Sequence, residues 1–439
     1  MTKGIFCLLG LILSNSIQAQ DTVKLQLHEA LEAVAKSNSE ILLATIDRAS
    51  AVAKFNQTNA IFLPQVNLSY TAMVTNNPLN AFGFKLQQQS VAQSDFNPAL
   101  LNDPPTTQNY MAKIELSQPL INLDMVYQRR AAGQQIDVYH YKVKRTKEYL
   151  RFEVQKAYAS LQLAHQAVTV LIESLNTVTR LYESSKNYFE KGYLQKSDLL
   201  QVQVQVAMVE SKLAEAKSSV RNASDFLSLL MGVKSGPVYA VAPLEKNASV
   251  DSIETQVPED RADFKVLQSA LQAQESVIRS SKIAALPKLN AFANYMFNDK
   301  AAFGFASNAY LVGAQFSWNL FEGTSRHYRT SEQKLTHAKI KQQLNYQKEQ
   351  SQLELNRATR QLKDAQYAIL QHETSVRQTA EALRIVQDRF DQGLASANDV
   401  LRSQSSLSEQ KLLLTESVFK YNTTLAHIRF MVSLSQENN

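Results

Sequence analysis

Two aspartates, Asp198 and Asp399, stand 201 residues apart, each six residues after a glycine (Gly192, Gly393) and nine after a phenylalanine (Phe189, Phe390). A carboxylate so placed can satisfy free N–H groups where a helix begins. Repeated around an opening, it can also draw cations in and hold divalent ions. Asp399 and Arg402 are the candidates for a pore constriction on this reasoning. A second set of polar residues alternates with apolar ones: Gln65, Asn67, Ser69, Thr71, Lys113, Glu115, Ser117, Asn290, Asn294, Gln315 and Ser317. One polar face at period two suits the wall of a water-filled pore. Met73, Met111 and Met296 share that phase; a soft-metal path along them is the minor reading, because methionines in strands ordinarily pack. The seven histidines include no His-x-x-x-His pair, and His372 falls on a heptad seam as a packing residue. There is no Gly-x-Ser-x-Gly, no phosphate-cradling glycine loop and no convincing acid/base pair, so no enzyme, cofactor or metal site is expected.

The elements that must carry these residues follow from periodicity. Leu25–Asn59 is helical by pattern, with Leu27, Leu31, Val34, Ile41, Val52 and Phe55 mostly on one side. From Pro64 the period changes to two, and Val66, Leu68, Tyr70, Ala72 and Val74 define a strand over about 65–75. A loop rich in Asn, Gln and Pro follows to about Gln108. A second strand, about 110–118, shows Tyr110, Ala112, Ile114 and Leu116 on one face, with Pro119 closing it. From Leu123 to Phe189 a heptad seam (Leu150, Val154, Ala157, Leu161 and onward to Tyr182 and Ser185) predicts a coiled-coil helix about 100 Å long. The stretch Phe189–Asp198 is the tip of a helical hairpin whose return helix ends at Gly232. Within that helix Gln201–Val206 would read as a strand in isolation. Residues 234–257 form a connector.

The second half repeats the first. Arg261–Ala284 is helical. Strands lie at about 287–297 and 310–318, and Leu286-Pro287 echoes Leu63-Pro64. Ala302–Phe305 matches Ala81–Phe84, both Ala-Phe-Gly-Phe. Leu355, Leu362, Ile369, Val376, Leu383 and Phe390 continue the seam 201 residues after Val154, Leu161, Val168, Leu175, Tyr182 and Phe189. The second tip is Phe390–Asp399. Tyr70, Tyr110, Tyr295, Tyr310 and Trp318 are placed to form interfacial girdles or simply to face lipid.

Only 11 Gly and 10 Pro occur in 439 residues, which favours long unbroken helices. The net charge of +6 is scattered, so nucleic acid is not an expected partner. Residues 1–20 read as a secretory signal: Lys3, the short apolar run Gly4–Leu13, and cleavage after Ala19 or Gln20. The one cysteine, Cys7, lies inside that segment, too early for a convincing lipid attachment. The exported chain thus has no thiol chemistry.

The opening LQLHEALEAVAKSN (Leu25–Asn38), the Leu-Pro strand starts and the paired Phe-x-x-Gly-x(5)-Asp tips together resemble the TolC-like outer-membrane efflux proteins, over essentially all of the mature chain. The resemblance implies a mainly α protein with a membrane β portion. It is internally duplicated, with two coiled-coil hairpins and four amphipathic strands per chain. Three chains form a twelve-stranded β-barrel in outer-membrane lipid, continued by an α-helical barrel in the periplasm of a Gram-negative bacterium. It also implies a passive export duct of a tripartite system, with a periplasmic adaptor and an inner-membrane transporter of the RND or ABC type as partners. Gly192, Leu194, Ser197, Asp198, Gly393, Leu394 and Asp399 become the adaptor-contact candidates. Asn38-Ser39 replaces a frequent Asn-Pro, and Arg261-Ala262-Asp263 replaces Arg-Pro-Asp or Arg-Pro-Glu. Phe390, Ala395 and Arg402 stand where some members place gate-closing Tyr, Arg and Asp, so their gate contacts do not carry over. Two other functions compete: a poreless periplasmic coiled-coil adaptor or scaffold, which normally carries one hairpin, and a protein-secretion channel of type I.

Overall fold

A computed structural model describes residues 22–247 and 256–432. The expected signal segment and part of the 234–257 connector lie outside the described residues. In chain order the elements are β1 (Thr22–Lys24), α1 (Leu27–Ser37), α2 (Ser39–Gln57), β2 (Gln65–Thr75), α3 (Pro78–Gln87), α4 (Pro98–Asn102) and β3 (Thr107–Ile121). Then come α5 (Leu123–Glu190), α6 (Lys196–Met231), β4 (Val238–Ala240), α7 (Ala262–Ile283), β5 (Lys288–Asp299), β6 (Ser307–Ser317), α8 (Ser325–Asp391) and α9 (Ala397–Met431). Among the described residues no helix is long and apolar enough to cross a membrane. The chain divides into two compact units, residues 43–145 with 259–350, and residues 1–42 with 146–258 and 351–439. Each unit draws on both halves of the sequence.

The first unit holds an antiparallel sheet of order β2-β3-β5-β6. β2 and β5 begin one residue after Pro64 and Pro287, where a residue without an N–H is tolerated at a strand start. Pro119 does not close β3. The strand runs on to Ile121, and the pairing with β5 shifts register between Pro119 and Ile121, the irregularity that a missing donor imposes. The helices below the sheet keep the strand order. Arg129 of α5 lies 4.1 Å over the Phe55 ring of α2. Ser276 of α7 donates to Gln134 of α5 at 2.6 Å, and Gln274 donates to Gln333 of α8 at 2.7 Å. Arg261 opens α7 with two 2.7 Å bonds to Asp263 while stacking on Phe264.

The segment between β2 and β3 is not the loop its composition suggests. Asn77 accepts from the Asn80 N–H and Pro78 occupies the first turn, so α3 starts there; Asn97 and Pro98 start α4 in the same way. Ala81–Phe84 therefore lies inside a helix. Its sequence match, Ala302–Phe305, is a tight turn with positive φ at Phe303 and Phe305. The echo is one of sequence, not of conformation.

The second unit is helical, with a two-stranded parallel sheet of β1 and β4. Both strands are departures from expectation, since Thr22–Lys24 precedes the expected opening helix and β4 sits in the connector. That opening helix is also interrupted, and Asn38 is the reason. It has ψ 130°, and its side-chain oxygen accepts from the Glu40 and Ile41 N–H groups, capping α2. Its amide nitrogen donates to the Leu230 carbonyl at 2.8 Å, tying the break to the end of α6. The heptad seam is buried as spaced. Leu150, Val154, Ala157, Leu161 and Val220 pack with Ala30 and Val34; Leu355, Leu362 and Ile369 pack with Tyr421, Leu425 and Ile428. Each such aliphatic burial contributes about 2 kcal/mol. Gln201–Val206 is helical, as its surroundings require.

All three helix-ending glycines, Gly192, Gly232 and Gly393, have positive φ. A Cβ on Gly232 would collide with the Ser37 carbonyl oxygen, whereas one on Gly192 meets nothing within 4 Å. Gly192→Ala should therefore cost about 1 kcal/mol, from the left-handed backbone alone. Gly232→Ala should cost clearly more, and thermal unfolding of the two variants side by side checks the order.

Candidate functional site

The sheet register decides which side chains share a face, because directly opposed residues of antiparallel strands point the same way. Gln65 opposes Ser117, Asn67 opposes Glu115 and Ser69 opposes Lys113. Glu115 opposes Asn294, Asn290 opposes Gln315, and Lys288 opposes Ser317. All eleven polar strand residues thus fall on one face, with Thr71 in the same phase. Lys113 and Glu115 pair along that face at 2.9 Å. Met73, Met111 and Met296 lie on it too, as do the apolar Phe292 and Leu311, so it is polar but not uniformly so. The opposite face carries Val66, Leu68, Val74, Val312 and Phe316, all about two-thirds exposed. Contiguous apolar surface of that extent is rare on a protein meant to face only water.

At the end of the sheet bearing the β2–β3 connection, the polar face is covered. Asn109 is fully buried, and its side-chain amide donates to Asn298 at 3.0 Å and to Gln87 at 3.4 Å. Gln88 donates to the Asn109 side-chain oxygen at 3.1 Å and to the Gln108 carbonyl at 2.7 Å. Ser307 donates to the Gln87 carbonyl. The C-terminal end of α3 is therefore fastened to the polar face through amides. On the apolar face, Phe303 stacks on Tyr70 at 5.0 Å between ring centres, and its N–H donates to the Tyr70 hydroxyl. No sequence signal marked Gln87 or Gln88, and the Ala302–Phe305 motif marked Phe303 without its partner, since partners so distant in the chain are set only by the fold.

The hairpin tips share one closing geometry and differ in how the next helix starts. Gly192 and Gly393 donate to Phe189 and Phe390, and the following residues, Tyr193 and Leu394, donate to Tyr188 and Arg389. This pair of bonds is the left-handed helix ending that glycine favours. Neither aspartate is the capping residue that its place in the repeat suggests; each lies three residues into the structure that the cap begins. Ser396 caps α9, accepting from the Asp399 N–H, and Asp399 accepts in return from the Ser396 N–H at 3.0 Å and its hydroxyl at 2.7 Å. Gln195 is the corresponding residue before α6, and its side chain makes no capping bond with Asp198 in the first turn. A glutamine side chain is too long for the reach that serine has. Hydrogen bonds from the Ser396 side chain and backbone, helped by Arg402 and Arg389, hold the Asp399 carboxyl below its ordinary pKa.

The tips differ in packing as well. Phe390 is buried with Leu181, Val202, Leu383 and Val400, and Tyr188 meets it edge-on at 5.7 Å, whereas Phe189 is exposed. Tyr193 and Leu394 project from the two turns, 80% and 64% exposed. Leu194 and Asp198 are half-buried; Gly192, Ser197, Gly393 and Asp399 are exposed. Arg402 lines an open polar groove with Gln201, Gln205 and Asn398. His372 is half-buried against Gln410. Among the described residues no group of three or more His, Cys, Asp or Glu side chains is placed to hold a metal ion.

The described residues thus combine long coiled helices with a four-stranded sheet that has one apolar and one polar face. Residues 30–233 match the family model described as outer membrane efflux protein. The match covers 204 of the chain's 439 residues, just under half of it. A curated relative, the probable outer membrane lipoprotein SilC of Salmonella typhimurium, is 23% identical over 263 residues. The alignment covers 58% of this chain and about half (51%) of SilC. The fold is shared with the Campylobacter jejuni CmeC outer membrane channel, with a TM-score of 0.78 at 17% identity over 94% of this chain and 87% of that one. It is shared equally with CusC, with a TM-score of 0.78 at 15% identity over 94% and 93% of the two chains.

The lowered pKa of Asp399 carries a sign. A carboxyl whose pKa falls on folding stabilises the fold above its unfolded value, and that contribution is lost as pH falls through the folded value. Amide exchange in the first turn of α9 should therefore quicken in acid below the ordinary aspartate range. Asp399→Ala should exchange fast there at neutral pH and show no acid step.

Proposed function

We propose that the chain is one of three identical subunits of an export duct, a passive conduit through the outer membrane for a tripartite efflux system. The observation that carries this reading is the sheet. Four strands cannot close on themselves, β2 and β6 leave their outer edges unpaired within the chain, and lipid does not tolerate open edges. Three copies pooling their strands make twelve, an even number in the range of known outer-membrane barrels. The apolar face then meets lipid. The eleven polar residues, Gln65 to Ser317, line the pore, and α3 sits over the polar face at the pore mouth. The homologous name SilC and the folds of CmeC and CusC support the reading.

The tips supply the second part of the proposal. Tyr193 and Leu394 are large apolar side chains held in water by glycine turns. They are the anchors that we assign to a periplasmic adaptor, together with the bare backbone of Gly192 and Gly393 and with Leu194, Ser197 and Asp198. The adaptor would join the duct to an inner-membrane transporter of RND or ABC type, which supplies the energy. Asp399 and Arg402 are assigned to the constriction. A protein-secretion duct has the same architecture, and the transporter chooses between these cargoes. A poreless adaptor has no use for an amphipathic sheet.

Detergent-extracted protein should fractionate with outer membranes, run as an oligomer and conduct in planar bilayers; a monomer that never conducts ends the reading. In single-channel records Asp399→Asn should lower cation preference. An unchanged preference would remove Asp399 from the constriction and leave the duct standing.

A further inference from the structure

We infer that a basic hollow between the end of α7 and the start of α8 binds the phosphate of a phospholipid headgroup. The hollow measures about 460 Å³, and Lys282, Arg326, His327, Lys334, Leu320 and Phe321 all line it. Its one acid, Glu322, is neutralised by Arg326 at 3.3 Å, and Arg326 also donates to the Asn319 carbonyl. Among the described residues the ammonium groups of Lys282 and Lys334 have neither an ion-pair nor a hydrogen-bond partner. The hollow therefore presents two unpaired positive charges.

Its lip is apolar. Leu320 and Phe321 are 71% and 83% exposed, and Leu320 continues the period-two phase of Val312, Ala314, Phe316 and Trp318 beyond the end of β6. A neighbouring hollow of about 570 Å³ contains Lys288 and Ser317 of the polar face, Trp318 of the apolar phase, and Arg329. The basic hollow contains none of these four, and Arg326 is the one cation that the two share. Its own large apolar residues are the exposed Leu320 and Phe321. β5 begins at Lys288 and β6 ends at Ser317, so the hollow lies immediately past the strand ends.

The occupant follows from these neighbours, and the inference rests on the apolar sheet face meeting lipid. If the sheet spans the acyl region, a site just past its ends lies at headgroup depth. Lysines there pair with anionic phosphate while apolar neighbours lie against the first methylenes of the chains. Free phosphate would gain nothing from Leu320 and Phe321. A second copy is the poorer fit, since α7 and α8 are adjacent helices of one chain bonded through Gln274 and Gln333, whereas copies would meet at the sheet edges. Each lysine near an anionic surface should contribute about fivefold in affinity, so neutralising both should cost on the order of 20-fold.

Native mass spectrometry of the full-length oligomer in mild detergent tests this, with phosphatidylglycerol, phosphatidylcholine or inorganic phosphate added. Wild type should retain phosphatidylglycerol, and phosphate should not displace it. Lys282→Gln/Lys334→Gln should retain it on the order of 20-fold less, while the control Lys339→Gln/Lys341→Gln on the same helix is unchanged. Leu320→Ser/Phe321→Ser should also weaken retention, which a bare anion site would not show. Equal retention by the lysine variant, displacement by phosphate alone, or protection of Lys282 and Lys334 from amine labelling by a neighbouring copy in lipid-free oligomer would each overturn the inference. Outer-membrane fractionation of wild type is scored separately, so failure of the membrane reading is distinguished from failure of the site.

Discussion

On the proposed duct reading, a backbone N–H or C=O facing hydrocarbon without a partner is the constraint on which this architecture turns. Within the chain the sheet satisfies its inner ladders, β2 with β3, β3 with β5 and β5 with β6, and leaves two outer edges open. In water such edges are an aggregation hazard; in lipid they cost several kcal/mol per unpaired group. No side-chain substitution within one chain removes that cost, because four strands are too few to close. In that reading, association is written into the strand count rather than into a particular contact. The same closure would put one face of every strand toward lipid and the other toward water, which fits the alternation of apolar and polar residues.

The duplication is a template that the two halves use differently. Both tips close on a glycine with the same hydrogen bonds. Only the second tip has a serine to complete a capping box, and only the second phenylalanine, Phe390, is buried. The first tip keeps Phe189 and Tyr193 toward solvent. Likewise the two Ala-Phe-Gly-Phe segments, one helical and one a turn, do different things. The first lies in the helix whose end is fastened to the polar face. The second brings Phe303 onto Tyr70 on the apolar face. A near-repeat in sequence has become one device on the polar face and another on the apolar face, at the same end of the sheet.

Charge follows a similar division. The polar face pairs its own charges, Lys113 with Glu115, and Lys288 with Asp124 at 2.7 Å, which lowers their cost in a confined space. Two cations without a partner among the described residues, Lys282 and Lys334, lie beside the apolar lip beyond β6. An ammonium pair next to exposed Leu and Phe is the arrangement that the proposed headgroup site uses.

Much of this could be read from the residues in order. Period two in Gln65–Thr75 and Ser307–Ser317, and heptads in Leu150–Ser185, report which face is apolar, and that is a local property of a strand or helix. Glycine before the tips was readable because left-handed backbone is a property of one residue. The rest depended on partners far apart in the chain. Asn38 breaks its helix because it caps α2 and finds the Leu230 carbonyl 192 positions away. The composition of residues 76–106 reads as loop, while Asn77 and Asn97 each supply a helix cap. β1 and β4, three residues each, are strands only because they meet one another. Asn109, Gln88 and Asn298 form a network through register and packing, not through spacing. Sequence determines a face or a turn where the interaction spans a few residues; which faces are covered, and by what, is decided where the free energy comes from contacts that only the folded chain brings within hydrogen-bonding distance.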